Sequence, residues 1–97
     1  MKTEFLLAAR LELEEAIAYY DAELPGLGLE FSDEVEHALE RIKHFPLAWS
    51  PLSARVRRCQ VNRFPYSVIY EARSQILIVV AIQNNHRKPE GWRDRIR

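Results

Sequence analysis

The sequence predicts an α+β fold in which an N-terminal helical hairpin packs on a mainly antiparallel sheet, in the order β-α-α-β-β-β with room for a short C-terminal helix. Three observations predict it. Apolar residues recur at helical spacing through the first 45 positions. After about residue 55 the pattern shifts to strand-type runs joined by short connections. One of those runs, Gln75 to Ile82, is apolar at every position after the first, as expected of a strand covered on both faces.

The elements follow in order. Residues 2–6 form a short strand. Residues 8–24 form a helix, because Leu6, Ala9, Leu13, Ala16, Ile17, Tyr20 and Leu24 recur at steps of mostly three and four while Glu12, Glu14, Glu15 and Asp21 point elsewhere. Pro25-Gly26-Leu27-Gly28 stops it: proline cannot continue a helix and glycine permits the turn. A second helix covers residues 28–44, with Phe31, Val35, Ala38, Leu39, Ile42 and Phe45 as its apolar positions. Ser32, Asp33 and Glu34 stand near its start and Arg41, Lys43 and His44 in its last turn, the polarity that suits the helix dipole. Two helices joined by a tight turn make an antiparallel hairpin.

Pro46 opens a loop over residues 46–54. Residues 56–63, 66–72 and 75–83 then form three strands, separated by Pro65 and by Arg73-Ser74. Connections this short join antiparallel neighbours. Residues 89–97 are polar around Trp92 and form a turn or short helix. Ninety-seven residues with no linker-like tract, no internal repeat and three glycines fit one domain, residues 1–97.

The chain is neutral overall but not locally. Residues 1–48 hold 4 Lys/Arg against 11 Asp/Glu, and residues 49–97 hold 10 against 3. An acidic hairpin is thus joined to a basic sheet and tail, and a basic face attracts polyanions or acidic partners. Cys59 is the sole cysteine, so the chain forms no internal disulfide and no thiolate cluster, which fits a cytoplasmic location. It sits in a strand-like run and reads as a buried, inert thiol. No apolar run approaches a membrane span, and Phe5 to Ala9 is too short for a signal-peptide core. Glycine-rich phosphate loops, His-Glu-x-x-His and Cys-x-x-Cys are all absent, so neither a metal nor a cofactor is expected.

The residues that can carry chemistry lie in the basic half. Arg57 and Arg58 open the strand region, Arg63 closes its first strand, His86 and Arg87 follow the apolar strand, and Arg95 is in the tail. In a meander the start of one strand can lie near the end of another, so Arg57 or Arg58 is expected close to Arg87, with Tyr66 or Tyr70 nearby. Arginine beside aromatic rings suits phosphate and stacked bases. The alternative is that these arginines pair with Glu71, Glu90 or carboxylates of the hairpin. Trp49 and Trp92 read as packing anchors, and His37 and His44 as surface residues.

These residues resemble a family. Phe5, Ala9, Glu12-Leu13, Glu15-Ala16 and Tyr19-Tyr20, then Leu27-Gly28, Phe31, Glu34-Val35-Glu36, Ala38-Leu39, Ile42 and Pro46, look like the first strand and two helices of the RelE/ParE superfamily of bacterial type II toxins. Arg57-Arg58, Arg63-Phe64-Pro65-Tyr66, Ile69-Tyr70, Ile78, Ala81-Ile82 and the tail Arg87, Pro89, Trp92, Arg95 complete the series. The resemblance covers nearly the whole chain. It implies a toxin neutralised by a cognate antitoxin, and it implies the fold already read from pattern. It leaves two mechanisms: inhibition of DNA gyrase by binding, as in ParE-like members, or metal-independent cleavage of ribosome-bound mRNA, as in RelE-like members. A third outcome is a member that binds antitoxin without toxicity. A nuclease here would use Arg58, Tyr70, His86 and Arg87. A binding protein would meet its target or antitoxin through Arg57, Arg58, Arg63, Tyr66, Arg87 and Arg95. Within the resemblance, Asn84 stands where many relatives carry histidine, and no tyrosine follows Tyr70.

Overall fold

The computed structural model describes residues 1–87 and 90–96. Lys88 and Arg97 of the basic half, and Pro89 of the tail pattern, lie outside the described residues. A short strand β1 (Lys2–Phe5) leads into helix α1 (Leu7–Glu23) and helix α2 (Leu27–His44). Four strands follow: β2 (Ser50–Pro51), β3 (Val56–Gln60), β4 (Tyr66–Arg73) and β5 (Ile76–Asn84). A 3₁₀ turn at Arg93–Arg95 follows the last strand. The sheet order is β1-β5-β4-β3-β2, with β1 parallel to β5 and every other pair antiparallel. This is the expected helical hairpin on a mainly antiparallel sheet.

Two of the expected boundaries are corrected. Residues 46–54 contain a strand, since Ser50 and Pro51 pair with Arg58 and Arg57. Two residues are enough at an edge, where proline's missing donor costs nothing. The strand expected over 56–63 ends at Gln60. Arg63 takes a left-handed φ of 72° ahead of Pro65, which no strand accommodates. The Gln60 side-chain nitrogen lies 3.0–3.1 Å from the carbonyl oxygens of Val61, Phe64 and Tyr66 and ties the turn shut.

The tight link between the helices rests on Asp21. Its Oδ1 accepts hydrogen bonds from the backbone N–H of Gly26 at 3.0 Å and of Gly28 at 3.2 Å, so one helix caps the other. Gly28 is required for space, since a Cβ there would meet the Ile17 carbonyl oxygen at 2.5 Å.

The main core lies between hairpin and sheet. Ala9, Ala16, Phe31, Val35, Leu39 and Ile42 pack against Val68, Tyr70, Leu77, Val79 and Ile82. A bulge sets which residues of β5 face it. Ile69 pairs with Ala81 and Tyr70 with Val79, leaving Val80 as the extra residue. Leu77 and Val79 therefore face the helices, Val80 and Ala81 both join a second cluster with Val56, Ile69 and Trp92, and Ile82 returns to the main core. Both faces of β5 are covered, as its apolar run predicts.

Candidate functional site

Alternation along β3 sends its two leading arginines to opposite faces. Cys59 belongs to the main core and Val56 to the second cluster, so Arg57 lies on the helix side and Arg58 on the open face of the sheet. They do not form one cationic patch. The Arg57 Nη1 donates to the Trp49 carbonyl at 2.8 Å. The Arg58 Nε donates to the Ser67 hydroxyl at 2.9 Å, and its Nη2 to Gln60 Oε1 at 3.3 Å. Ser67 is fully buried and donates in turn to Asn85 Oδ1 at 2.8 Å; the Asn85 amide donates to Gln60 Oε1 at 2.9 Å. Arg58 is therefore held by a closed ring of side chains from β3, β4 and the turn after β5.

Every acceptor in that ring is neutral. The guanidinium is fixed in place, but no carboxylate among the described residues compensates its charge. It stands between two concavities. One, of about 450 Å³, is lined by Arg41, Trp49, Ser50, Arg58, Gln60 and Asn62. The other, of about 180 Å³, is lined by Leu52, Arg58, Gln83 and Asn85. Arg41 stands at the far wall of the larger one, with its Nη2 donating to the Gln60 carbonyl at 2.9 Å. Two fixed cations and several amide groups suit an anionic or strongly polar surface.

The proton-transfer candidates are elsewhere. Tyr70 is fully buried on the helix side, and its hydroxyl donates to the Pro46 carbonyl at 2.6 Å. Burial pushes its pKa up to about 12. Tyr66 packs among Tyr20 and Phe31, with ring centroids 6.0 and 5.0 Å away. His86 and Arg87 are exposed in the turn after β5, where their backbone N–H groups donate to Asn84 Oδ1 and Asn84 O. Their side chains make no hydrogen bond or ion pair among the described residues. The structure thus brings Arg58 and Asn85 together but does not join Arg58 to either tyrosine or to His86. Cys59 is buried beside Arg41, and burial raises its thiol pKa, as expected of an inert thiol.

Two further arginines of the expected binding set are paired. The Arg63 Nη2 donates to Glu30 at 2.7 Å and its Nη1 lies 3.5 Å from Glu34, clipping the 61–66 turn to α2. Arg95 forms two bonds with Glu12, at 2.7 and 2.8 Å. The same Arg95 donates to the Val80 carbonyl at 3.1 Å, and Glu12 accepts the Ile82 N–H at 3.1 Å. Strand β1 ends opposite Val79, so this ion pair caps the edge of β5 just beyond the reach of β1. Trp92 is 3 % exposed and covers Val56, Ile69, Val80 and Ala81 on the open face. Sequence reasoning named Arg58 but missed Ser67, Gln60 and Asn85. Only Ser67 left a signal, as a polar residue inside the mostly apolar strand β4; Gln60 ends β3 and Asn85 lies in the turn after β5.

No curated protein sequence matches the chain. Among solved structures, one described as the chromosomal ParDE TA system from P. aeruginosa superposes with a TM-score of 0.67. It is 15 % identical, over 87 % of this chain and 95 % of that one, a likeness that concerns the fold. The sequence itself matches, over residues 4–89, the family described as the ParE toxin of type II toxin-antitoxin system, parDE. A hairpin on a five-stranded sheet is consistent with this match over most of the chain, and the match decides: the protein belongs to the ParE toxin family of type II toxin–antitoxin systems.

Proposed function

We propose that the chain inhibits DNA gyrase by binding it, makes and breaks no covalent bond, and is neutralised by a cognate antitoxin. The observation that carries this reading is the composition of the Arg58 site. Metal-independent RNA cleavage needs a base for the 2′-hydroxyl, an acid for the leaving oxygen and a cation for the phosphorane. The site has the cation. Its neighbours Ser67, Gln60 and Asn85 are not acid–base groups near neutral pH. Tyr70, with a pKa near 12 and its hydroxyl already bonded, stays neutral inside the core. A fixed cation among amides serves recognition. The ParE membership of the chain supports gyrase as the target recognised.

The test is a pair of assays on the purified protein. Supercoiling by gyrase is expected to be inhibited, while mRNA on translating ribosomes stays intact. Arg58→Ala and Arg87→Ala are each expected to weaken inhibition by about ten-fold, in a graded manner that falls further with added salt, because screened charges act through attraction. Site-specific cleavage of ribosome-bound mRNA that disappears with Arg58→Ala would overturn the proposal. Antitoxin binding without effect in either assay would reveal a member that has lost toxicity.

A further inference from the structure

The loop from Phe45 to Trp49 forms a ridge with a concavity on each side. On one side lies an almost wholly apolar groove of about 420 Å³ formed by Phe45, Trp49, His44 and the stems of Glu40 and Arg41. On the other lies a pocket of about 310 Å³ whose walls include Pro46, Leu47, Arg55, Arg57 and Arg73. The ridge itself is oily: Phe45 is 66 % exposed and Leu47 74 %. It follows directly on α2, whose last backbone bond, from the Phe45 N–H to the Arg41 carbonyl, fixes where Phe45 points.

The charge around this ridge is unbalanced. Arg41, Arg55, Arg57 and Arg73 surround it, against Glu40 and Glu71. Both carboxylates are engaged, Glu40 with Lys43 at 3.4 Å and Glu71 with Arg73 at 2.9 Å. Arg57 bonds to the neutral Trp49 carbonyl and Arg41 to the neutral Gln60 carbonyl and the Cys59 sulfur, neither meets a carboxylate among the described residues, and Arg55 reaches Glu71 only at 3.9 Å. An apolar centre framed by arginines whose charge stays open is the composition of a protein-binding hot spot. It is poorly suited to nucleic acid. Leu47 cannot stack on a base, the groove offers almost no polar atoms to base edges, and the Trp49 indole N–H is buried beneath the surface.

We infer that this ridge and its two flanking concavities are the seat of an acidic, apolar segment of the cognate antitoxin, with apolar side chains straddling Phe45 and Leu47 and carboxylates on Arg41, Arg55 and Arg57. A segment that folds on binding can wrap such a ridge and fill both open concavities while bringing carboxylates to the arginines around them. Exposed Phe and Leu side by side are an aggregation hazard for a free chain, and a constant companion made alongside the toxin removes it. This inference rests on the antitoxin reading above and deepens it by naming the surface.

The experiment measures the affinity of the purified chain for the product of the adjacent reading frame. Leu47→Asp and Arg55→Ala are both exposed changes and should leave the thermal midpoint in place. Each is expected to weaken the complex by about ten-fold or more, as hot-spot truncations do, and the Arg55 change should also flatten its salt dependence. Leu11→Asp, on the exposed face of α1, serves as the control and should have little effect. Affinity indifferent to residues 47 and 55 but sensitive to residue 11 would place the antitoxin on the hairpin and overturn this surface alone. Intact antitoxin binding, with loss of binding to a short single-stranded RNA, would reassign the ridge to nucleic acid. If the neighbouring product does not bind the unmodified chain, the antitoxin reading fails and this surface with it.

Discussion

Tyr70 shows how one buried hydroxyl can decide between mechanisms. It lies on the helix side of β4, and its hydroxyl already donates a hydrogen bond to the Pro46 carbonyl. Removing that hydroxyl leaves a carbonyl without its partner, so Tyr70→Phe is expected to cost about 1–2 kcal/mol at neutral pH by chemical denaturation. The phenol also leaves a signature at high pH. Its pKa rises from 10.0 to about 12 on folding, so the folded state holds the proton more tightly. The stabilisation is complete below pH 10 and is lost as pH climbs towards 12. Unfolding curves across that window are expected to fall more steeply for the unmodified chain than for Tyr70→Phe; parallel curves would contradict the assignment. Nothing in the sequence distinguished Tyr70 from Tyr66 as a reactive phenol, because strand alternation gives a face only once the core side is known. The same ambiguity made Arg57 and Arg58 look like one patch when they point to opposite sides of the sheet. Arg63 and Arg95, expected at an interface, turned out to meet hairpin carboxylates, the alternative pairing that the charge split itself made available.

Among the elements, the helices were legible almost to the residue. Apolar spacing predicted α1 and α2 within one residue at each end, since proline and glycine mark the breaks. Strand β5 was legible too, from its unbroken apolar run. The bulge at Val80 was not, because a bulge is a mismatch between two strands and neither sequence alone contains it. It makes the register testable. Leu77→Ala and Val79→Ala empty the core under the hairpin and are expected to cost about 2–4 kcal/mol each in urea unfolding. Ile78→Ala, on the partly open face, should cost clearly less. Equal losses at all three positions would contradict the assigned faces. Strand β2 escaped notice because two residues carry no period, and the Arg58 ring because its members are far apart in sequence: Gln60 and Asn85 are separated by 25 positions.

Across the whole molecule, the acidic hairpin and basic sheet are sewn together by pairs that join distant parts of the chain, above all Glu12 with Arg95, 83 positions apart. Glu12 also serves the Ile82 N–H, so Glu12→Ala strips a buried strand edge and an arginine of their shared partner. It is expected to cost about 1–3 kcal/mol. For a chain of this size that lowers the thermal midpoint by roughly 4–8 °C per kcal/mol, readable by calorimetry. Adding Arg95→Ala to it should cost little more, since the two residues act as one unit. The pairing of β1 with β5 extends this reach to the sheet itself: Lys2 stands opposite Ile76 and Phe5 opposite Val79. Strand β1 must therefore wait for β5 to be made before it has a place in the sheet. While residues 76–84 are still in the exit tunnel, β1 has no neighbour and Leu77, Val79 and Ile82 are missing from beneath the hairpin. Neither the sheet nor the core under the hairpin can close on a nascent chain until β5 has cleared the tunnel, so the fold is completed in one late step and is not built up progressively from β1.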